Sequence, residues 1–191
     1  MKKLLSAFVM ISALLLAGCG QQGIVDALEW PVEEFEFVNQ EGQNFGLDDL
    51  EGKIWVADFI FTNCPDICPP MTANMLKLQD MVKEENLGNV QFISFSVDPE
   101  VDKPETLKEF GQRFSVDFSS WNFLTGYSQK EIETFAMDNF KTIVQKPQNG
   151  DAVIHQSYFY LVDQNGQIMK SYSGLNDTPF EDIIKDIKTL Q

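Results

Sequence analysis

The run "KIWVADFIFTN", residues 53–63, constrains this chain more than any other stretch. It is a long series of β-branched and aromatic residues, and it predicts a buried central strand. It leads directly into "FTNCPDICPP" (61–70), where Cys64 and Cys68 are separated by three residues and hemmed in by Pro65, Pro69 and Pro70. From Pro70 to Leu87 the apolar residues Met71, Met75, Leu78 and Val82 recur at helical spacing, with proline near the start and Gly88 just past the end. That pattern predicts an amphipathic helix. A buried strand, a cysteine loop and a helix thus follow one another within about 35 residues.

The rest of the chain repeats the alternation. "FEFVN" (35–39) and "QEGQ" read as a strand and a turn, and "VQFISFSVD" (90–98) as a second buried strand. "KPETLKEFGQRF" (103–114) is a helix opened by Pro104, "WNFLT" (121–125) a short strand, and "SQKEIETFAMDNF" (128–140) a helix capped by Ser128. "HQSYFYLVD" (155–163) and "QIMKSYSG" (167–174), joined by "QNG", read as a hairpin, and "TPFEDIIKDIKTL" (178–190) closes the chain as a helix. The order β-α-β-α-β-α-ββ-α predicts an α/β fold whose mixed central sheet is flanked by helices. A thioredoxin-like domain with an N-terminal strand extension and a late β-hairpin fits it, with the cysteines at the first strand-to-helix junction.

The N-terminus carries a separate signal. Met1, Lys2 and Lys3 precede an apolar run from Leu4 to Ala17, broken only by Ser6 and Ser12. A basic start and a short apolar core are the layout of a secretory signal, too short to span a bilayer comfortably. "LAGC" (16–19) resembles the bacterial lipobox, in which the cysteine after the cleavage point is lipidated. The expected organisation is a lipoprotein signal peptide over 1–18, a tether anchored by the lipid on Cys19 over 19–33, and a domain over 34–191. That places the mature chain outside the cytoplasm, on the outer face of the cell membrane. The formal charge is −15, and more acidic still without Lys2 and Lys3. Such a surface repels phosphate and anionic lipid, which argues against a nucleic-acid partner and leaves membrane contact to the lipid.

A domain of this size needs no staple, and a disulfide closing a loop of three residues stabilises little, so the cysteine pair is kept for reactivity. Residues four apart on a regular helix have Cβ atoms roughly 5–6 Å apart, against about 3.8 Å for a disulfide. Proline disfavours helical angles in the residue before it, here Cys64 and Cys68, so the helix is expected to start at Pro69 or Pro70. Cys68 would then face the positive end of the helix, which predicts a lowered thiol pKa. Taken alone, the pair suits a redox couple, a metal clamp, or both.

His155 is the only histidine in the chain and sits where a polar loop gives way to a strand. A lone histidine is by default a hydrogen-bonded surface residue. Together with two thiolates, however, an imidazole makes a three-coordinate soft site that suits copper in either oxidation state. Structural zinc wants four ligands, and with Cys19 assigned to the lipid no fourth Cys or His is left to give. Asp66 and Asp98 are candidate supporting oxygens.

"FTNCPDICPP", "SFSVDPEVDKPETLKEF", "LTG" and "HQSYFYLVDQNG" resemble, in order, the motif series of the Sco/SenC family, over roughly residues 55–175. The resemblance implies a thioredoxin fold binding copper through Cys64, Cys68 and His155, with Asp98 at an acidic position near the site. It also implies a metallochaperone for the binuclear copper A centre, with the copper A subunit of cytochrome c oxidase as partner. Gln156, where the family often has Ser or Thr, and Lys103, where Thr is common, depart from its pattern without altering a ligand. Two other functions use the same cysteines. A thiol–disulfide reductase would keep the oxidase cysteines reduced, itself renewed by a thiol–disulfide oxidoreductase; a peroxiredoxin-like peroxidase would leave Cys68 and His155 unexplained.

Overall fold

A computed structural model describes residues 23–147 and 153–191. Residues 1–18, expected as a signal peptide, and Cys19 lie outside these residues. The elements are strands β1 (Trp30–Pro31), β2 (Glu36–Asn39), β3 (Asn44–Gly46) and β4 (Ile54–Ile60), helix α1 (Cys68–Glu84), β5 (Val90–Ser96), α2 (Pro104–Arg113), β6 (Trp121–Thr125), α3 (Gln129–Phe140), β7 (Val144–Gln145), β8 (Ile154–His155), β9 (Tyr158–Val162), β10 (Gln167–Ser173) and α4 (Phe180–Leu190). Eight of the strands form one sheet in the order β1-β10-β9-β4-β5-β6-β2-β3. β4, β5 and β6 run parallel, while β9 pairs antiparallel with β4 and β10 with β9. The result is the thioredoxin-like mixed sheet that the alternating pattern predicts.

All seven residues of β4 are buried. Phe59, Phe95, Phe140 and Tyr160 interlock on one side of the sheet, edge-to-face or stacked, with ring centroids 5.1–6.2 Å apart. The last turn of α3 delivers Phe140 to this cluster. On the other side Phe123 of β6 packs edge-on against Phe110 of α2 and Phe118. The apolar stripe of α1 is buried, and α4 lies beside that helix, with the Lys77 ammonium 4.0 Å from the Phe180 ring centroid. The Ser128 cap is formed as expected, with its hydroxyl accepting from the Glu131 N–H and the Glu131 carboxylate accepting from the Ser128 N–H.

Two stretches differ from the sequence expectation. Residues 24–33, expected as tether, lie partly on the domain. Ile24 and Val32 are buried, Trp30 and Pro31 pair with Ile168 and Gln167, and the Leu28 N–H donates to the Met169 carbonyl. The exposed edge of β10 supplies the donors and acceptors that capture them. The expected strand 155–163 is split: 158–162 join the main sheet, whereas Ile154 and His155 pair with Gln145 and Val144 in a separate two-stranded ladder. The histidine is therefore presented by a small hairpin and not by the sheet itself.

One buried side chain opposes the fold. Asp58, in the middle of β4, is completely buried, and neither carboxylate oxygen has a hydrogen-bond partner within normal geometry. The Ser94 hydroxyl, level with it on β5, offsets only part of the loss of water, and burial raises the carboxyl from the ordinary 3.8 to about 7. With the folded-state pKa raised, the unfolded chain gives up this proton first as pH rises from about 4, so Asp58 lowers stability across pH 4–7 and by a constant amount above it. Asp58→Asn is expected to match wild type at about pH 4 and to be the more stable at about pH 8, by up to roughly 4 kcal/mol, in urea titrations at the two pH values. An unchanged difference between the two pH values would show that Asp58 does not titrate in this window.

Candidate metal centre

The site forms where β4 leaves the sheet. Thr62 is fixed from behind by Asp102, a fully buried carboxylate that accepts from the Thr62 N–H and hydroxyl and from the Ser96 hydroxyl, the last at 2.6 Å. Burial raises the Asp102 carboxyl, and the Ser96 and Thr62 donors work in the opposite direction. The ends of β4 and β5 are thus tied together just before the cysteine loop. Sequence reading did not single out Asp102; its signal was a second aspartate four residues after Asp98, in the turn that follows a buried strand.

Helix α1 starts at Cys68 itself, one or two residues earlier than the prolines suggest. Pro69 and Pro70 then occupy the second and third helical positions, where an amide hydrogen would have no partner within the helix. The Cys68 N–H donates to the Cys64 sulfur at 3.3 Å, and the Met71 N–H to the Ile67 carbonyl. The helix start therefore serves Cys64.

Cys68 is wholly buried, and burial pushes its thiol well above the ordinary range; a hydrogen bond from the Phe61 backbone opposes this, while Cys64 and the Asp58 carboxyl beneath add to it. The lowered pKa expected at Cys68 is thus reversed in the metal-free dithiol, because loss of water outweighs the helix dipole. Both cysteines are free thiols, and Cys64 is the half-buried one.

His155 completes the cluster. Its Nε2 lies 3.5 Å from Cys68 Sγ, and its Nδ1 lies 3.2 Å from the Gln156 carbonyl. A carbonyl only accepts, so Nδ1 carries the proton and Nε2 presents its lone pair to the thiols. Burial lowers the imidazole pKa, opposed by the Gln156 carbonyl, and so favours this neutral form. Phe61 packs edge-on to the ring, and the Gln156 side chain, at the family-atypical position, accepts from the Thr142 hydroxyl at 2.9 Å.

The three donor atoms of Cys64, Cys68 and His155 all lie within 4.8 Å of one another, close enough for one ion to contact them all. Two sulfurs and one imidazole nitrogen are soft-to-borderline donors, and three of them match copper better than four-coordinate structural zinc. Asp66 and Asp98 are outside the cluster. Asp66 is exposed on the loop. Asp98 is buried and paired with Lys146, 2.8 Å away, which compensates the carboxylate. The supporting oxygens expected from sequence are therefore not brought to the thiols. Because Cys64 is accessible and Cys68 is not, iodoacetamide at neutral pH is expected to label Cys64 first, with Cys64→Ser slower than Cys68→Ser by roughly tenfold or more. Equal rates by mass spectrometry would show that the buried thiol opens freely to solvent.

The SCO1/SenC family model matches residues 29–191. A SCO1/SenC family lipoprotein from Bacillus anthracis is 60% identical, with a TM-score of 0.85 over 88% of this chain and 99% of that one. BsSco, described as a member of the Sco family of cytochrome c oxidase assembly proteins with a disulfide switch, is 55% identical, with a TM-score of 0.82 over 88% and 98% of the two chains. The Arabidopsis thaliana ScoI structure with copper bound is 27% identical, with a TM-score of 0.70 over 82% and 97%. The chain belongs to the SCO1/SenC family.

Proposed function

We propose that this chain is an extracytoplasmic metallochaperone that carries one copper ion on Cys64, Cys68 and His155 and delivers it to the copper A subunit of cytochrome c oxidase. The observation that carries the reading is the convergence of two thiols and one correctly tautomeric imidazole within 4.8 Å, at the mouth of a buried strand. Copper-bound ScoI and the oxidase-assembly description of BsSco support it by likeness. Copper is the cargo here. Loading copper(I) exchanges two thiol protons for the metal, and neutral His155 adds a third donor without further change of charge. Cys68 lies beneath the metal position and excludes water, whereas Cys64 is the side from which an acceptor sulfur can enter for ligand exchange. The lipobox-like "LAGC" would put a lipid on Cys19 and hold the domain at the outer face of the membrane.

Reduced protein is expected to bind one copper ion tightly, with Cys64→Ala and Cys68→Ala abolishing the site and His155→Ala weakening it roughly 10–100-fold, measured by competition against a copper(I) chelator. Equal affinity in wild type and all three variants would rule the site out.

A second reading has its own observation. Cys64 is half-exposed above a buried Cys68, and two thiols so placed can reduce a partner's disulfide by giving up two electrons and two protons. BsSco, with its disulfide switch, is consistent with such use. A His155→Ala strain separates the two. Failure of oxidase assembly, relieved by added copper, is expected for a metal carrier; normal assembly without added copper would favour the reductase.

A further inference from the structure

The two halves of the site come from different parts of the fold. The thiols sit on the β4–α1 junction, which the Asp102 network ties to the end of β5. His155 sits on the β7–β8 ladder, whose pairing spans only two residues on each strand. So short a ladder does not fix a side chain by itself. Its outer face is also unsupported: Ile143 and Ile154 are about half exposed, at 49% and 55%.

Lys146, the residue after β7, bridges the halves. Its backbone N–H donates to Glu133 of α3 at 2.9 Å. Its ammonium donates to Asp98 at 2.8 Å and to Glu100 at 2.9 Å, both in the turn that follows β5. The Lys146 and Asp98 side chains are only 21% and 6% exposed, so this pair is shielded from solvent, whereas Glu100, 70% exposed, adds little. The Asp98 turn is in turn fixed to the thiol side: the Asp98 carbonyl accepts from the Asp102 N–H, and the Asp102 carboxylate holds Thr62. An unbroken chain of contacts therefore runs from Thr62, two residues before Cys64, through Asp102, Asp98 and Lys146 to the hairpin that bears His155.

We propose that Lys146 is a positioning residue that, through Asp98, holds the His155 hairpin against the thiol loop and so keeps the imidazole within reach of a metal on Cys64 and Cys68. Asp98 then serves the site as the anchor of this latch and not as an oxygen ligand. The consequence for metal holding rests on the copper reading above; the positioning of His155 does not.

The test compares wild type, Lys146→Arg, Lys146→Met and the double variant Lys146→Met/Asp98→Asn, which leaves no unpaired carboxylate at position 98. Without metal, long-range ¹H–¹⁵N spectra report the tautomer and mobility of the single histidine. Lys146→Met and the double variant are expected to lose the single Nδ1–H pattern and broaden, while Lys146→Arg keeps it. Loaded with copper(I), the two Met-containing proteins are expected to surrender metal to a chelator roughly tenfold faster or more, with Lys146→Arg near wild type. Raising ionic strength should move wild type little, because the pair is shielded. An unchanged histidine spectrum in the double variant, with a folded near-wild-type amide spectrum, would overturn the proposal. Should wild type bind no copper, the copper reading fails alone and the metal-free spectra still decide the latch.

Discussion

The parallel ladder from Ile54↔Val90 to Ile60↔Ser96 has no face left to solvent, so helices must cover the sheet on both sides and the connecting loops must gather at its ends. The thiol half of the site follows from that. The chain leaves the sheet after Ile60, and there it meets the end of β5, where Asp102 collects Thr62 and Ser96. The cysteines come next, so one thiol sinks into the interior below the loop and the other stays at its rim. Loops held by such a frame are where chemistry is carried in α/β folds.

The two thiols are chemically unequal for the same reason. Helix dipole and burial act on Cys68 in opposite directions, and burial wins because the residue is fully enclosed and an unpartnered acid lies below it. A metal cation would remove that penalty by replacing the proton, which makes the buried cysteine a poor free thiolate and a good enclosed ligand. Cys64, half-buried and touched by an amide hydrogen, is the partner through which the outside world reaches the pair.

Much of this was legible in the sequence because its signals are local. The apolar run of β4, the Ser128 cap and the stripe of Met71, Met75, Leu78 and Val82 each depend on near neighbours, and each forms as read. Cys64, Cys68 and His155 stood out through rarity and chemical type, and the structure brings them together. What stayed hidden depends on long-range pairing. The β7–β8 ladder joins residues nine and eleven apart, Lys146 meets Asp98 across 48 positions, and the isolation of Asp58 shows only once its neighbours are in place. Trp30 and Pro31 likewise carry no strand signal until the edge of β10 receives them.

The opening of α1 has one further consequence. Most helices begin with several unclaimed amide hydrogens, which makes their first turn a natural seat for phosphate, sulfate or chloride. Here Pro69 and Pro70 have no such hydrogen, that of Cys68 is directed at the Cys64 sulfur, and that of Met71 is taken by the Ile67 carbonyl. Hard anions thus find no seat in the first turn of this helix. The position between Cys64, Cys68 and His155, ringed by soft donor atoms, is left to a soft cation.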